Sequence, residues 1–167
     1  MANYYMPTVV QQSIPTGDMT PLERLVLSLV FDAEPDGEAL YFFSELGPSD
    51  MIGLPVALLR NAWAASAGID SALAVYVAGG LAAVPDGDTE IDLGLLGMSW
   101  EIILQDIVRR SRTLGYVTVV SAFTCSRMRV DGFGGMAVHI TPEVIRGKST
   151  NDILEEFLAS PVDEGSG

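Results

Sequence analysis

The β-structure of this chain is predicted most strongly by residues 116–140, which read YVTVVSAFTCSRMRVDGFGGMAVHI. Residues 116–128 are rich in β-branched and aromatic side chains, which favour an extended strand. Asp131-Gly132 is a turn signal, after which residues 135–140 return as a second strand. This stretch therefore predicts an antiparallel β-hairpin.

Helix caps mark the chain on both sides of this hairpin. Residues 20–23 place threonine at the N-cap, proline at the first helical position and glutamate at the third, which is a capping box. Ser149 and Asp152 repeat the cap before a last helix, while Asp70 and Ser99 are further N-cap candidates. With the apolar spacing, these signals predict helices over residues 20–31, 55–66, 71–83, 99–114 and 149–158, and a helical turn within residues 141–147.

Shorter strands complete the predicted pattern. They are expected at residues 8–14, 39–45, 51–54 and 90–93, with a turn at residues 32–38. The fold class is α+β, with one antiparallel or mixed sheet and helices packed mainly on one of its faces. The similar order of elements in residues 20–66 and 99–158 also suggests two α-β-β-α units.

The domain organisation expected from this pattern is simple. Residues 1–19 form an N-terminal arm or edge strand, residues 20–159 a single α+β domain, and residues 160–167 a flexible tail. The prolines that limit residues 8–14 favour the edge position. An exposed edge could pair with another copy of the chain, so a homodimer is a predicted assembly.

Composition excludes several classes of protein. The 167 residues are 49% hydrophobic and 19% charged, which is not the composition of a disordered chain. A single cysteine cannot form an intramolecular disulfide, and the first ten residues lack the pattern of a signal peptide. The longest apolar stretch, residues 72–84, is shorter than the roughly 20 residues that span a bilayer. We therefore expect a soluble cytoplasmic protein without membrane association.

The net charge of −13 is unevenly distributed. Residues 1–100 carry 13 acidic side chains and only two basic ones, whereas residues 101–167 carry nine and seven. Such a field disfavours direct contact with nucleic acid and favours a basic protein partner, although acidity also keeps a hydrophobic chain soluble. The residues expected to form the acidic surface are Asp32, Glu34, Asp36, Glu38, Asp86, Asp88, Glu90 and Asp92.

The alternating acids invite comparison with calcium-binding loops. The series that begins at Asp32 has Phe43 at the twelfth position, where a calcium loop needs a bidentate carboxylate. The series that begins at Asp86 lacks the glycine at the sixth position. Alternation is also typical of a solvent-facing strand, with Asp88, Glu90 and Asp92 outward and Thr89, Ile91 and Leu93 inward. No metal and no cofactor are predicted.

Cys125 and His139 are the catalytic candidates. A hairpin folded about residues 131–133 would place them nearly opposite each other, near enough for the imidazole to deprotonate the thiol. A register shift of one residue would point them to opposite faces. The alternative interpretation is that Cys125 is a small buried hydrophobic residue.

Three arginines form a candidate anion patch: Arg127, Arg129 and Arg146. The glycines of residues 132–135 invite comparison with a phosphate-binding loop beside these arginines. That loop requires a turn from a strand into a helix, with a lysine and a serine or threonine. Here the glycines connect two predicted strands, so hairpin geometry explains them better.

Several segments resemble an uncharacterised group of bacterial proteins associated with plasmids and other mobile elements. The resemblance is carried by residues 20–24 (TPLER), 31–37 (FDAEPDG), 99–108 (SWEIILQDIV), 116–125 (YVTVVSAFTC), 131–136 (DGFGGM) and 149–157 (STNDILEEF). It implies no assigned activity and transfers no functional residue. Accessory proteins of mobile elements often inhibit host defence, some of them as acidic DNA mimics, and a charged content of 19% argues against full mimicry.

Three functions follow from these observations. The first is a non-enzymatic acidic binding protein, an inhibitor of a host nucleic-acid-handling or defence complex that binds a basic protein or complex. The second is a small thiol-dependent enzyme that uses Cys125 and His139. The third is a domain that binds small anions.

Overall fold

The computed structural model describes residues 1–160 of the chain. Apart from Ser160, the predicted tail at residues 160–167 lies outside the described residues. Within them, a 3-10 turn at Thr16–Asp18 precedes the first of five α-helices. The helices are α1 (Pro21–Val30), α2 (Val56–Ala65), α3 (Ala72–Ala82), α4 (Trp100–Arg110) and α5 (Thr150–Ala159).

Ten strands accompany these helices in the described part of the chain. They are β1 (Tyr4–Tyr5), β2 (Thr8–Val10), β3 (Ile14–Pro15), β4 (Asp32–Asp36), β5 (Ala39–Ser44), β6 (Met51–Pro55), β7 (Glu90–Gly94), β8 (Val117–Cys125), β9 (Gly134–Ile140) and β10 (Ile145–Ser149).

Eight of the strands form one large antiparallel sheet. β10, β9 and β8 lie side by side at one end of the sheet. β1 and β2 both pair with the free side of β8, and β2 also pairs with β5. β3 pairs with the same side of β5 as β2, and β4 pairs with its other side. The hairpin predicted from residues 116–140 is its β8–β9 pair. The α+β fold class is confirmed.

The N-terminal segment lies inside the large sheet, so the predicted edge strand at residues 8–14 is wrong. Thr8 pairs with Ser121 of β8 on one side and with Ser44 of β5 on the other. Val10 and Ile14 are fully buried, and burying them favours a central position. The flanking prolines fall just before β2 and at the end of β3, where they do not interrupt the pairing. The basis for a homodimer through this edge is therefore lost.

The remaining two strands form a separate sheet. β6 pairs with β7 in antiparallel register, from Met51 opposite Gly94 to Pro55 opposite Glu90. The chain thus has two sheets instead of the single sheet expected. The suggested division into two similar α-β-β-α units is also wrong. In the first half β5 and β6 belong to different sheets, whereas in the second half β8 and β9 pair with each other.

Several local predictions also need correction. Residues 32–38 form strand β4 and a tight turn at Gly37, whose φ of 60° suits glycine, rather than a turn throughout. Residues 145–147, predicted as part of a helical turn, lie in β10. The side chain of Ser71, not Asp70, caps α3.

Helix α4 ends at Arg110, four residues before the predicted end. The hydroxyl of Ser111 donates to the Asp18 carboxylate at 2.6 Å and accepts from the Leu114 N–H at 2.9 Å. These bonds turn the chain away from the helix axis because they replace the next helical hydrogen bonds.

The core lies between the large sheet and the helices. Alternate residues of the central strands, such as Val10, Phe42, Val119 and Ile140, face α1 and α4 and are buried. Helix α3 contributes a stripe of buried apolar residues, Leu73, Val77 and Leu81. Its other side is therefore left free, next to β7. None of the helices in residues 1–160 has the length and apolar character needed to cross a membrane.

Candidate functional site

A groove of about 740 Å³ runs between α3 and β7. On the helix side it is lined by two successive turns of α3, Val75 with Tyr76 and Gly79 with Gly80, and by Ala83 just after the helix. On the strand side it is lined by Asp88 and by all five residues of β7.

The strand side of the groove is the edge of β7. Successive side chains of a strand point to opposite faces, so only an edge presents five consecutive residues to one groove. The other edge of β7 is occupied by β6, and no further strand within residues 1–160 pairs with β7. The groove therefore contains an unpaired strand edge.

Hydrogen bonds that flank the β6–β7 ladder show which backbone groups point into the groove. The Val56 N–H donates to the Thr89 carbonyl at 2.9 Å, and the Leu95 N–H donates to the Asp50 carbonyl at 2.7 Å. In an antiparallel pair, bonded and non-bonded positions alternate. Ile91 and Leu93 consequently bond to β6, whereas the N–H and C=O groups of the three residues between and beside them face the groove. Those residues are Glu90, Asp92 and Gly94.

One of these outward groups already has a partner. The Tyr76 hydroxyl on α3 donates to the Gly94 carbonyl and closes the end of the groove. Within the described residues, the backbone groups of Glu90 and Asp92 have no such partner from α3 or from a neighbouring strand. Two consecutive outward positions of β7 are thus open.

The electrostatic character of the groove is acidic. Asp88, Glu90 and Asp92 are exposed, and no lysine, arginine or histidine is among the residues that line it. The ion pairs found within residues 1–160 all involve other carboxylates. The three charges therefore have no basic side chain paired with them in the part of the chain that the structure describes.

The helix side of the groove contains two glycines, and apolar side chains lie between it and the strand. A Cβ added at Gly79 would meet nothing within 4 Å, whereas one added at Gly80 would lie 3.4 Å from the Leu93 side chain. Leu93 is buried and Ile91 half-buried, which agrees with their predicted inward direction, whereas Thr89, also predicted inward, lies before β7 and is exposed. The absence of a side chain at Gly79 leaves open space in the groove, whereas Gly80 lies close to the Leu93 side chain.

The eight acidic residues predicted as one surface are divided between two places. Asp32, Glu34 and Asp36 lie on β4, with Glu38 in the turn that follows, at an edge of the large sheet. The other four lie on or just before β7 in the small sheet. All eight are exposed. Among residues 1–160, no three His, Cys, Asp or Glu side chains form a group that could hold a metal ion.

The two acidic strands differ in their surroundings. β4 contains Pro35, which has no N–H to offer to an added strand. Acidic side chains and a proline on an edge are common means of preventing unwanted sheet pairing. β7 contains no proline and faces helix α3 across the groove. The proline therefore blocks an added strand at β4, whereas the backbone of β7 keeps all its N–H groups.

The structure separates Cys125 from His139. Thr118 lies opposite His139, and Cys125 lies opposite Tyr4 of β1. Seven residues separate Thr118 from Cys125 along β8, about 23 Å at the rise of an extended strand. The predicted pairing is wrong because the connection between the strands occupies residues 126–133 and is centred earlier than residues 131–133.

The three candidate arginines do not form a single patch. Arg146 lies on β10 opposite His139, level with the beginning of β8. Arg127 and Arg129 follow the far end of β8, and the Arg129 Nε lies 3.5 Å from the Asp131 carboxylate. The predicted anion site is therefore not assembled.

Sequence reasoning identified the acids of the groove but not their opposite wall. Tyr76 and Val75 on α3 carried no recognisable signal. Gly79-Gly80 did carry one, because two glycines within a helix are costly unless another backbone approaches closely.

Comparisons with protein-family models, with curated proteins and with solved structures find no match to this chain. The fold and the groove together define an α+β protein with an acidic strand edge. The resemblance to plasmid-associated proteins stays a prediction.

Proposed function

We propose that this chain is a non-enzymatic binding protein that takes a basic segment of a partner protein in the groove between α3 and β7. The observation that carries the proposal is the charge of Asp88, Glu90 and Asp92 on one wall of that groove, with which no basic side chain in the described residues is paired. A site of this kind attracts cations and repels phosphates, which favours a basic protein over nucleic acid.

The spacing of the carboxylates suits an extended basic segment. Glu90 and Asp92 lie on the same face of β7, about 6.8 Å apart along the strand. Lysines or arginines at alternate positions of an extended chain have the same spacing. Each exposed ion pair contributes only about 0.2–1 kcal/mol, so recognition by charge alone would be weak and sensitive to salt.

The finer proposal concerns the identity of the partner. Proteins that handle nucleic acids present lysine and arginine to phosphates, and an acidic groove offers those side chains an alternative partner. This chemistry supports an inhibitor of a host nucleic-acid-handling or defence complex. A thiol enzyme receives no comparable support, since Cys125 and His139 lie far apart.

Charge reversal in the groove is expected to abolish most of this binding. A variant with Asp88→Lys, Glu90→Lys and Asp92→Lys should bind a fluorescent lysine-rich decapeptide about 100-fold more weakly at low salt, because three attractions become repulsions. Fluorescence anisotropy in 50 mM and 300 mM salt measures the effect. Wild-type affinity should fall steeply between these two concentrations.

The matched control carries the same change of charge on β4. Its substitutions are Asp32→Lys, Glu34→Lys and Asp36→Lys, all at exposed positions. We expect this variant to retain most of the affinity. Equal weakening of both variants would mean that net charge, not the groove, attracts the peptide, and the proposal would be abandoned.

The same two variants test the identity of the partner. Wild-type protein and the β4 variant, used as baits in a host lysate, should retain a nucleic-acid-handling protein that the β7 variant loses. The retained protein should also be displaced from its nucleic acid by the wild-type chain. Retention of the same proteins by all three baits would count against an inhibitor that acts through the groove.

A further inference from the structure

We propose that the basic segment binds by strand addition, as a third strand on the open edge of β7. This inference rests on the proposed function, since it specifies how the partner of the acidic groove is held. It assigns the main contacts to backbone hydrogen bonds and the selectivity to the carboxylates.

The backbone of β7 supplies the first argument. The N–H and C=O groups of Glu90 and Asp92 point into the groove, as does the N–H of Gly94, and no neighbouring strand in the described part of the chain bonds to them. Unpaired groups on a strand edge are a template for another extended chain. The Tyr76 hydroxyl occupies the Gly94 carbonyl and so sets one limit of the added strand. The template therefore suits a segment of about five residues.

The opposite wall supplies the second argument. An added strand would lie about 4.8 Å from β7 and would need space on the side of α3. Gly79 leaves that space open, because nothing lies within 4 Å of the position that its Cβ would take. A helix with large side chains at this position would close the groove.

The alternation of β7 supplies the third argument and predicts the sequence of the segment. Glu90 and Asp92 face one side, whereas Ile91 and Leu93 face the interior. Residues of an added strand that lie opposite the two carboxylates share their face, so lysine or arginine is favoured there. The residues between them face the apolar side chains of the groove. The expected segment alternates basic and apolar side chains.

Peptide binding tests this mode of recognition directly. The probe is an acetylated, amidated Lys-Val-Lys-Val-Lys peptide, compared with a Lys-Lys-Lys-Val-Val peptide of the same composition. We expect the alternating peptide to bind about tenfold more tightly, because only its order places charges and apolar groups on opposite faces. Calorimetry or anisotropy at low salt measures the difference.

Backbone methylation separates strand addition from attraction by charge. In antiparallel addition the backbone N–H groups of the lysines bond to β7, and those of the valines point away. Methylating the backbone nitrogens of the lysines should therefore weaken binding about tenfold. Methylating those of the valines should leave the affinity unchanged. The reverse pattern would support strand addition in the parallel direction. Equal affinity of the two methylated peptides would overturn strand addition. If the unmethylated peptides still bind, the proposal that the groove binds a basic segment is retained without strand addition. If no basic peptide binds, both the proposed function and strand addition are rejected.

Substitution at Gly79 tests the position of the segment. Gly79→Leu adds a side chain to the groove at a position where a Cβ meets nothing within 4 Å, and its higher helix propensity should raise the thermal midpoint. We expect the variant to bind the alternating peptide about tenfold more weakly, with Gly79→Ala as the control that retains binding. Wild-type affinity in a folded Gly79→Leu protein would exclude the groove as the binding site.

Discussion

Replacing Glu23 with alanine is expected to lower the free energy of unfolding by about 3 kcal/mol, since the change removes one partner of a buried ion pair. Glu23 is fully buried at the third position of α1. Its Oε1 accepts from the Thr20 N–H at 2.9 Å and from the Arg110 guanidinium at the end of α4. Alanine would leave both donors without this acceptor and would disconnect the start of α1 from the end of α4. Urea denaturation followed by circular dichroism measures the loss.

Glutamine at position 23 is the control for this change. Its amide oxygen can still accept from Thr20 and Arg110, so Glu23→Gln should cost clearly less than Glu23→Ala. Both variants are compared at neutral pH. An equal loss in the two variants would show that the charge of Glu23, rather than its acceptor oxygen, carries the stabilisation.

The difference in stability between the wild-type protein and Glu23→Gln is expected to depend on pH. Burial raises the pKa of the Glu23 carboxyl, against the lowering effects of the Thr20 backbone and the Arg110 guanidinium. A carboxyl with a raised folded-state pKa holds its proton more tightly in the folded protein. Its contribution to stability is fully present below the ordinary glutamate pKa of about 4.3 and is lost as the pH rises through the raised folded-state pKa. Wild-type protein should therefore gain stability relative to Glu23→Gln as the pH is lowered towards about 4.

Replacing Phe42 with alanine is expected to cost about 4 kcal/mol, because it leaves a cavity at a fully buried position of β5. The Phe42 ring lies 6.2 Å from the Phe31 ring, which in turn meets the edge of the Trp100 ring at 5.6 Å. This chain of aromatic contacts joins the large sheet to the end of α1 and the start of α4. Removing its first member therefore affects more than one element. Thermal and urea unfolding give the loss.

The neighbouring residue supplies the matched control. Phe43 has the same side chain on the same strand but faces the other side of the sheet, where it is half-buried and stacks on Tyr41 at 5.2 Å. Phe43→Ala should cost about 1 kcal/mol. If the two variants lost equal stability, the assignment of the core to the helix-covered face would be wrong.

Much of the local structure could be predicted from the sequence. The capping boxes at Thr20 and at Ser149 are present in the structure, and the helices begin where they predict. The strand at residues 117–125 and the inward direction of Ile91 and Leu93 also agree with the prediction. These features depend on residues at most a few positions apart, so a short stretch of sequence is enough to predict their hydrogen bonds and side-chain alternation.

The candidate site was only half predictable. Its acids follow from the alternation at residues 88–92, whereas the wall that faces them lies on α3 and is joined to β7 by a turn. The pairing of Cys125 with His139 was also predicted wrongly because a connection between two elements did not reveal how they are placed. The eight residues between β8 and β9 do not define the register of these strands.

The sequence by itself determined the fold class, most of the helices and the acidic character of the first 100 residues, because composition, caps and periodicity are local properties. Only the tertiary structure decided that Thr8 pairs with Ser121, that β7 pairs with β6 alone among residues 1–160, and that α3 stands beside an open strand edge. Backbone hydrogen bonds between distant strands are chemically alike in every register. The choice among them is made by how the whole set of apolar faces can be buried at once.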